Sequence, residues 1–331
     1  MSAHRLDGIT WDWTEAGRGA LCALPGGVII LAADVSLGMV CALGTIPVAM
    51  LGVPARRSQR PRLAVAGVGF AIAYALGSAV GRWHVAAVVT LVVVAYAAVV
   101  LAARRPAAML VPALFAPGYA LGMNEPIRSG LVLAGVFLGG AAWAVFVAYL
   151  WPQREPAAIP PPHAQAENER ATRIYAALFA AAAGIGLTLG YLLDFAHVAW
   201  AAAAGMFIMR PDPHLLASRA LGRALATLAG VLAAGLIVRR GPTEIGLALI
   251  VVGAVSAMIA VRTSRWYVAP GATAVVVLLA SGVASRNAFA VSFVDRLLET
   301  AIGAALALLF GVAVPYTLRA LASSRERAAR S

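Results

Sequence analysis

The sequence contains no lysine, and all 26 of its basic side chains are arginine. Acidic residues number only 14, and charged residues make up 12% of the chain, well below their share in soluble domains. The two cysteines, Cys22 and Cys41, lie in apolar runs and have neither zinc-site spacing nor a disulfide framework. The scarcity of charge excludes an ordinary globular protein, and the cysteines give no reason to expect a metal site.

Motifs for chemistry are missing as well. The sequence has no nucleotide-binding loop, no zinc or nucleophile signature and no pair of catalytic carboxylates. We therefore expect no enzymatic activity and no cofactor. A formal charge of +12 on a soluble protein would suggest nucleic-acid binding, but here the arginines fall between apolar runs. The sequence thus predicts a lipid bilayer as the partner, and not a nucleic acid.

The chain is rich in apolar residues, with 62% hydrophobic residues and a mean hydropathy of +0.85. Twelve apolar runs are candidates for the roughly 17–25 residues that a bilayer requires, and the first and the eighth of them are short. The fold class predicted is an all-α polytopic membrane protein with about twelve transmembrane helices. Their approximate limits are 19–34, 37–54, 63–81, 84–103, 106–122, 129–151, 174–193, 197–209, 221–238, 243–261, 268–284 and 293–318.

Two halves are predicted, residues 1–151 and 173–318, separated by a proline-rich cytoplasmic linker (152–172) and followed by a basic cytoplasmic tail (319–331). Similar residues recur in the same order in both halves, and six spans per half give both the same polarity. The sequence therefore predicts two parallel six-helix repeats. The recurring pairs are Asp34 with Asp194, Arg62 with Arg223, Gly69 with Gly230, Pro112 with Pro270, Arg128 with Arg296, and Gly135 with Gly303.

The arginines are distributed unequally between the two sides of the membrane. With a cytoplasmic N-terminus, twenty arginines, Arg18 among them, lie inside. Because loops rich in basic residues stay in the cytoplasm, both termini and the linker are predicted to be cytoplasmic. The six arginines on the outer side are Arg82, Arg128, Arg239, Arg240, Arg286 and Arg296.

The stretch 197–230 carries the candidate substrate site. An apolar run that contains Trp200 ends in a hinge at Pro211 and Pro213, because proline cannot continue a helix. A new helix follows, with Arg219 and Arg223 four residues apart on one face. Arg223 is expected about one turn inside this helix, where a charge needs a partner or a wet cavity. Its guanidinium suits a carboxylate, although contact with lipid phosphate is an alternative.

Two prolines at corresponding points of the halves, Pro112 and Pro270, are also candidate site residues. Proline in a membrane helix frees backbone carbonyls, and breaks in paired segments often mark a transporter binding site. The alternative is that these prolines serve packing alone. At the membrane boundary, arginines are expected to extend to the lipid headgroups without a functional role; these are Arg56, Arg57, Arg60, Arg104 and Arg105.

Three titratable residues are candidates for proton coupling: Asp34, Asp194 and His197. The two acids lie at the outer ends of their helices, and a carboxylate in an apolar mouth can load a proton. His197, three residues after Asp194, can share such a proton near neutral pH. The structural alternative is that the acids cap helices. Arg296 and Glu299, three residues apart, are predicted to form an ordinary ion pair at the outer boundary.

The chain resembles the fusaric acid resistance and aromatic acid exporter family of bacterial membrane proteins. The resemblance rests on Trp200 in an apolar span and on two arginine motifs. One is R-x3-R-x3-T-x2-G and the other is R-x3-T-x2-G. The first half has a weaker form of the motif at Arg62, Ala66 and Gly69. In the second half, Ala226 replaces the glycine that the family usually has just before the motif threonine. The two motifs lie at Arg219, Arg223, Thr227 and Gly230, and at Arg296, Thr300 and Gly303.

This resemblance implies export of aromatic carboxylates by two six-helix halves, with a short linker in place of a larger cytoplasmic region. The leading hypothesis is a proton-coupled exporter of aromatic or related organic acids in the bacterial inner membrane. Its partner is a small organic anion, and assembly as a homo-oligomer is compatible with the sequence. A passive organic-anion channel and a membrane scaffold of an envelope complex are the alternatives.

Overall fold

The computed structural model describes residues 11–104, 110–152, 169–195, 197–209, 216–262, 268–284 and 286–317. These residues form twelve α-helices, which confirms the all-α prediction for the described part of the chain. The helices are α1 Trp13–Ala32, α2 Val35–Met50, α3 Ala64–Val80, α4 His84–Arg104, α5 Leu110–Gly122, α6 Ile127–Leu150, α7 Glu169–Leu192, α8 Trp200–Ile208, α9 Leu216–Arg240, α10 Glu244–Ala260, α11 Val268–Ala284 and α12 Arg286–Leu308.

Two other helical segments adjoin these. A 3₁₀ segment, Arg57–Leu63, leads into α3, and a π-helical turn, Leu309–Ala313, follows α12. The hinge at Pro211 and Pro213, most of the predicted linker and the predicted basic tail lie outside the described residues.

Apolar faces on the outside of the helices indicate a membrane location. Seven described helices are long and apolar enough to cross a membrane. Large apolar side chains are exposed at helical spacing, as a lipid-facing surface requires. On α9 this exposed stripe consists of Leu221, Leu225, Leu228, Leu232 and Leu236. The chain is therefore a membrane protein.

Helix α1 begins six residues before its predicted start, because polar residues support an additional turn. The carboxylate of Asp12 accepts hydrogen bonds from the backbone N–H groups of Thr14 and Glu15 at 2.9 and 3.1 Å. Arg18, expected near the cytoplasmic surface, is instead fully buried inside α1. Its Nη2 donates to Glu15 Oε2 and to the Ala49 carbonyl, both at 2.7 Å. The ion pair allows this charge to lie in an apolar helix.

Arg60 also departs from its predicted place at the lipid headgroups. It is fully buried, and its Nη1 donates to the carbonyls of Ala148, Tyr149 and Trp151 at 2.7–2.9 Å. These carbonyls belong to the C-terminal end of α6, where helical acceptors lack partners within the helix. A cation there also favours the helix dipole. Arg60 therefore caps α6 and does not extend into lipid.

The two halves of the chain meet mainly along α1 with α10 and α4 with α7, and to a smaller extent along α5 with α8 and along α2 with α10 and α11. The Ser256 hydroxyl of α10 donates to the Ala16 carbonyl of α1 at 2.7 Å. At the end of α10, Arg262 Nε donates to Glu15 Oε2 at 2.9 Å. Glu15 therefore accepts from an arginine of each half, Arg18 and Arg262. This ion cluster joins the halves near the beginning of α1.

Each half consists of two groups of three consecutive helices. The third helix of each group packs on the second helix of the other group. Helix α3 packs on α5 and α6 on α2, while α9 packs on α11 and α12 on α8. The glycines paired in the sequence do not share this packing. Gly230 and Gly303 lie against neighbouring backbone, whereas a Cβ on Gly69 or Gly135 would meet nothing within 4 Å. The two members of each glycine pair therefore differ in packing, and the two-repeat arrangement stays a prediction.

Two Pro-Gly dipeptides are closer counterparts in packing. Gly118, after Pro117, faces the Phe70 carbonyl of α3, and Gly271, after Pro270, faces the Ala226 carbonyl of α9. A Cβ on either glycine would lie 2.7 Å from that oxygen. Glycine at both places permits the close approach of two helices. Judged by packing, Pro117 rather than Pro112 corresponds to Pro270.

Candidate functional site

Two arginines lie over two aromatic rings of the same short helix. Trp200 begins α8, and Phe207 follows seven residues later, which is about two helical turns. The Cζ atom of Arg296 lies 3.6 Å from the Trp200 ring centroid, and that of Arg223 lies 4.6 Å from the Phe207 ring centroid. Such stacking is favourable for a cation on an aromatic face. We call these four side chains the arginine–aromatic site.

The arginines come from two helices that run in opposite directions. Helix α9 begins at Leu216, so Arg223 lies about two turns inside it and not the single turn expected. Helix α12 begins at Arg286, so Arg296 lies about three turns inside it. The Leu216 side chain at the start of α9 contacts Gly311, beyond the end of α12. Helices α9 and α12, which carry Arg223 and Arg296, are therefore antiparallel.

The R-x3-T-x2-G motif explains how each arginine is positioned. The hydroxyl of Thr300 donates to the Arg296 carbonyl at 2.8 Å, and both Thr300 and Thr227 are buried. Three residues further, Gly303 packs against the backbone of α8 and Gly230 against that of α11. Because glycine has no side chain, α12 approaches α8 closely at Gly303, and α9 approaches α11 closely at Gly230.

The site combines strong charges with little solvent contact. Arg296 Nη1 pairs with Glu299 Oε2 at 3.2 Å, with side chains 8% and 1% exposed. The expected ion pair therefore exists, but it lies in the protein interior and not at an outer boundary. The positive charge of Arg296 also acts on Arg223. Glu299 compensates the charge of Arg296, so the site keeps the positive charge of Arg223, which favours an anion beside it.

Several polar atoms at this site have no hydrogen-bond partner among the residues that the structure describes. They are Arg223 Nε, Trp200 Nε1, His197 Nδ1 and Glu299 Oε1, and each is buried. Guanidinium and indole N–H groups are donors only. A buried donor without an acceptor costs free energy, so Arg223 and Trp200 are suited to a ligand that supplies oxygen acceptors.

The other candidate substrate residues lie on neighbouring helices. Arg219 is in α9, one turn before Arg223, and its side chain lies outside the described residues. Pro112 and Pro270 are each the third described residue of their helices, α5 and α11. Pro270 is partly buried, and the Pro112 side chain lies outside the described residues. Their roles in substrate binding stay predictions.

The candidate proton-coupling acids lie at helix ends and are exposed. Asp34 caps α2, where its Oδ1 accepts from the Leu37 N–H at 2.8 Å. Asp194 follows α7 with a positive φ of 52°, a backbone conformation that aspartate tolerates better than most residues. A helix cap accounts for the position of Asp34 in α2. Proton coupling by either acid stays a prediction.

His197 precedes α8 close to the arginine–aromatic site. Burial, and then the positive charge of Arg296, lower the pKa of His197 to about 4. The imidazole is therefore uncharged at neutral pH. Its proposed sharing of a proton with Asp194 stays a prediction, but a pKa of about 4 places the titration of His197 well below the near-neutral pH expected from the sequence.

Three residues of the site were not among the sequence candidates: Phe207, Arg296 and Glu299. The sequence holds a signal for each. Phe207 lies two turns after Trp200, and Arg296 begins the second copy of the motif that also positions Arg223. Glu299, three residues after Arg296, adds an acid on the same helical face. Only the folded chain shows that Arg223 and Arg296 both contact α8.

A family model matches the part of the chain that contains this site. Residues 172–310 match the family model described as fusaric acid resistance protein-like. The family resemblance is confirmed. The matched range covers the second half of the chain and contains Trp200, Phe207, Arg223, Arg296 and Glu299. No curated protein and no solved structure matches the chain.

Proposed function

We propose that this protein is a transporter that exports small organic anions, aromatic carboxylates in particular, across the bacterial inner membrane. The observation that carries this proposal is the arginine–aromatic site, in which Arg223 and Arg296 lie against Phe207 and Trp200. The proposed topology has both termini in the cytoplasm. The proposed partner is a small organic anion, and the proposed role is transport without catalysis.

The chemistry of the site favours a carboxylate. A guanidinium offers planar N–H groups that match two carboxylate oxygens, and its charge persists at all physiological pH values. The buried Nε of Arg223 and Nε1 of Trp200 are donors without partners in the described protein. A carboxylate would supply acceptors to both kinds of donor and compensate the charge of Arg223.

The two rings support an aromatic substrate. Trp200 and Phe207 flank the arginines, so a substrate ring bound to either guanidinium would have an aromatic neighbour within reach. Edge-to-face and offset contacts between rings add to the favourable free energy of burial. The family description refers to resistance to fusaric acid, a phenotype that export of an organic acid produces.

Energy for export is proposed to come from protons, since the sequence has no nucleotide-binding loop. A passive organic-anion channel would also need buried arginines. A carrier and a channel differ in counterflow. In this assay, vesicles preloaded with unlabelled substrate accumulate labelled substrate from the outside solution. A carrier shows this accumulation, whereas an open channel equilibrates the label and the unlabelled anion independently.

The test uses the purified full chain in proteoliposomes and radiolabelled terephthalate as the probe. Terephthalate is an aromatic acid whose two charges slow its unassisted passage through lipid. We expect counterflow in the wild type and a loss of at least about tenfold in Arg223→Gln and Arg296→Gln. Arg62→Gln and Arg128→Gln are the matched controls, because these arginines are exposed, and they should retain counterflow.

The aromatic contribution is tested in the same vesicles with Trp200→Leu and Phe207→Leu. Each variant should weaken terephthalate counterflow more than counterflow of fumarate, a dicarboxylate without a ring. Equal losses for both acids would contradict aromatic selectivity. Equilibration without counterflow would favour the channel, and a wild type with no terephthalate flux would contradict transport of aromatic acids.

A further inference from the structure

Glu299 is the buried acid of the arginine–aromatic site, and the proposed transport function does not yet use it. Its side chain is 1% exposed. One carboxylate oxygen, Oε2, accepts from Arg296 Nη1 at 3.2 Å. The other, Oε1, is buried and has no hydrogen-bond partner among the described residues. The carboxylate is thus held by a single hydrogen bond from one arginine.

The Arg296–Glu299 pair contains the same two chemical groups as an arginine with a bound organic acid. Glu299 presents to Arg296 a carboxylate, the same group that an organic acid would present. An arginine that already binds one carboxylate attracts a second one less strongly, because the first carboxylate compensates its positive charge. A substrate carboxylate that binds Arg223 and also reaches Arg296 therefore competes with Glu299 for Arg296. The displaced Glu299 would remain in a buried place without its cation. An unpaired charge there is costly, so the displaced acid is stable only as the neutral form.

We propose that Glu299 is a resident carboxylate that occupies Arg296 in the unloaded protein and takes up one proton from solvent when a substrate carboxylate replaces it. The inference rests on the proposed transport function and identifies the group that links substrate binding to protons. It assigns this role to Glu299 within the bundle, in place of Asp34 and Asp194 at exposed helix ends.

Other charged or titratable groups near Glu299 are few. From its own helix, Arg296 and Asp295 act on Glu299. Arg223 of α9 and His197, which precedes α8, interact with Arg296. Helices α8 and α11 have no titratable side chain. Helix α7 has none between Tyr175 and Tyr191. His197 is the neighbour whose titration most needs to be separated from that of Glu299.

The linkage is tested by calorimetric titration of the full chain in detergent with benzoate at pH 7. Each titration is repeated in phosphate and in Tris, which differ in ionisation enthalpy, so that the proton uptake can be calculated. We expect the wild type to take up about one proton per benzoate bound. Glu299→Gln should take up none, and its affinity should rise by up to about tenfold because no anion competes.

Two further variants assign the proton. His197→Gln should retain the proton uptake, and so should Glu244→Gln, which replaces an exposed acid of α10. Loss of uptake in His197→Gln would overturn the assignment to Glu299, as would uptake that persists in Glu299→Gln. If Glu299→Gln does not fold, the wild type alone decides, because binding of benzoate without proton uptake overturns the inference. No binding of benzoate by the wild type would overturn the proposed function and this inference together.

Discussion

Arg223 lies over Phe207, sixteen residues earlier in the chain, with 4.6 Å between the guanidinium carbon and the ring centroid. The polar turn that carries the two prolines lies between them in the sequence. The ring shields one face of the guanidinium, and the buried Nε has no protein partner among the described residues. Arg223 therefore offers its edge, which is the part of a guanidinium that binds oxygen anions.

This geometry predicts a graded response to substitution of Arg223. Arg223→Lys keeps the charge but loses the planar fork, so the affinity for benzoate should fall by about 1–2 kcal/mol. Arg223→Gln loses both the charge and the fork, so the affinity for benzoate should fall by more than about 2 kcal/mol, which is beyond about thirtyfold in apparent Kd. Calorimetric titration in detergent measures all three proteins, and elution as a single species checks their folding. Equal affinities would exclude Arg223 from the site, and Arg219 would be tested next.

Close packing at Gly303 predicts a specific sensitivity to a methyl group. A Cβ on Gly303 would lie 2.6 Å from the Ala201 carbonyl oxygen and 2.8 Å from the Gly205 nitrogen. Gly303→Ala should therefore separate α12 from α8 and lower the stability by about 1–3 kcal/mol, as seen for overpacked cores. Thermal unfolding in detergent measures this loss.

The matched control is Gly135→Ala, at the glycine that the sequence pairs with Gly303. A Cβ there would meet nothing within 4 Å, so this variant should be as stable as the wild type. Alanine is favoured over glycine inside a helix, so helix propensity cannot explain a loss. A loss of similar size in both variants would contradict the contact with α8 as its cause.

The lowered pKa of His197 predicts a loss of stability in acid. Its pKa in the fold is about 4 against an ordinary value of 6.5. Between these values the unfolded chain binds a proton that the folded chain does not, so stability is full above about pH 6.5 and falls as the pH approaches 4. The contribution is about 2 kcal/mol once partial solvent screening is allowed for.

Unfolding in detergent between pH 4 and pH 7.5 measures this dependence. Between pH 6.5 and pH 4, the free energy of unfolding should decrease less in His197→Gln than in the wild type. The difference should be about 2 kcal/mol, the contribution of His197. A parallel decrease in both proteins would mean that other groups cause the acid sensitivity.

The unequal distribution of arginines predicts the topology. Asn124, between α5 and α6, is predicted to face outward, and Ser58, between α2 and α3, to face the cytoplasm. An impermeant thiol reagent should label Asn124→Cys but not Ser58→Cys in intact cells, and both after lysis. The native Cys22 and Cys41 are buried and give little background. The reverse labelling pattern would overturn the assignment of the termini to the cytoplasm.

Most of the fold could be predicted because a bilayer imposes length and apolarity on each span. The helix ends were predicted less well. At α1, α9 and α12 the helix continues past charged residues, which the sequence presents as boundaries. In the fold these charges acquire partners, as Arg18 does with Glu15 and Arg296 does with Glu299. Hydropathy along the chain carries no information about such pairing.

The candidate site could be predicted only in part. The arginine motif identified Arg223, and the apolar run around Trp200 identified that tryptophan. Arg223 and Trp200 do not stack on each other, however. Arg296 stacks on Trp200, nearly a hundred residues away in the sequence. The direction of α12 relative to α8 decides this contact, and periodicity within one helix does not determine how two helices are placed.

The ion cluster of Glu15, Arg18 and Arg262 has a consequence for the independence of the half that matches the family model. A polypeptide limited to residues 169–317 would keep the whole arginine–aromatic site but lose the acid that neutralises Arg262 and the helix that covers α10. We therefore expect this fragment to need the first half, supplied as a separate chain, in order to assemble. The first half thus acts as a covalently attached subunit whose described arginines at the motif positions, Arg62 and Arg128, are exposed.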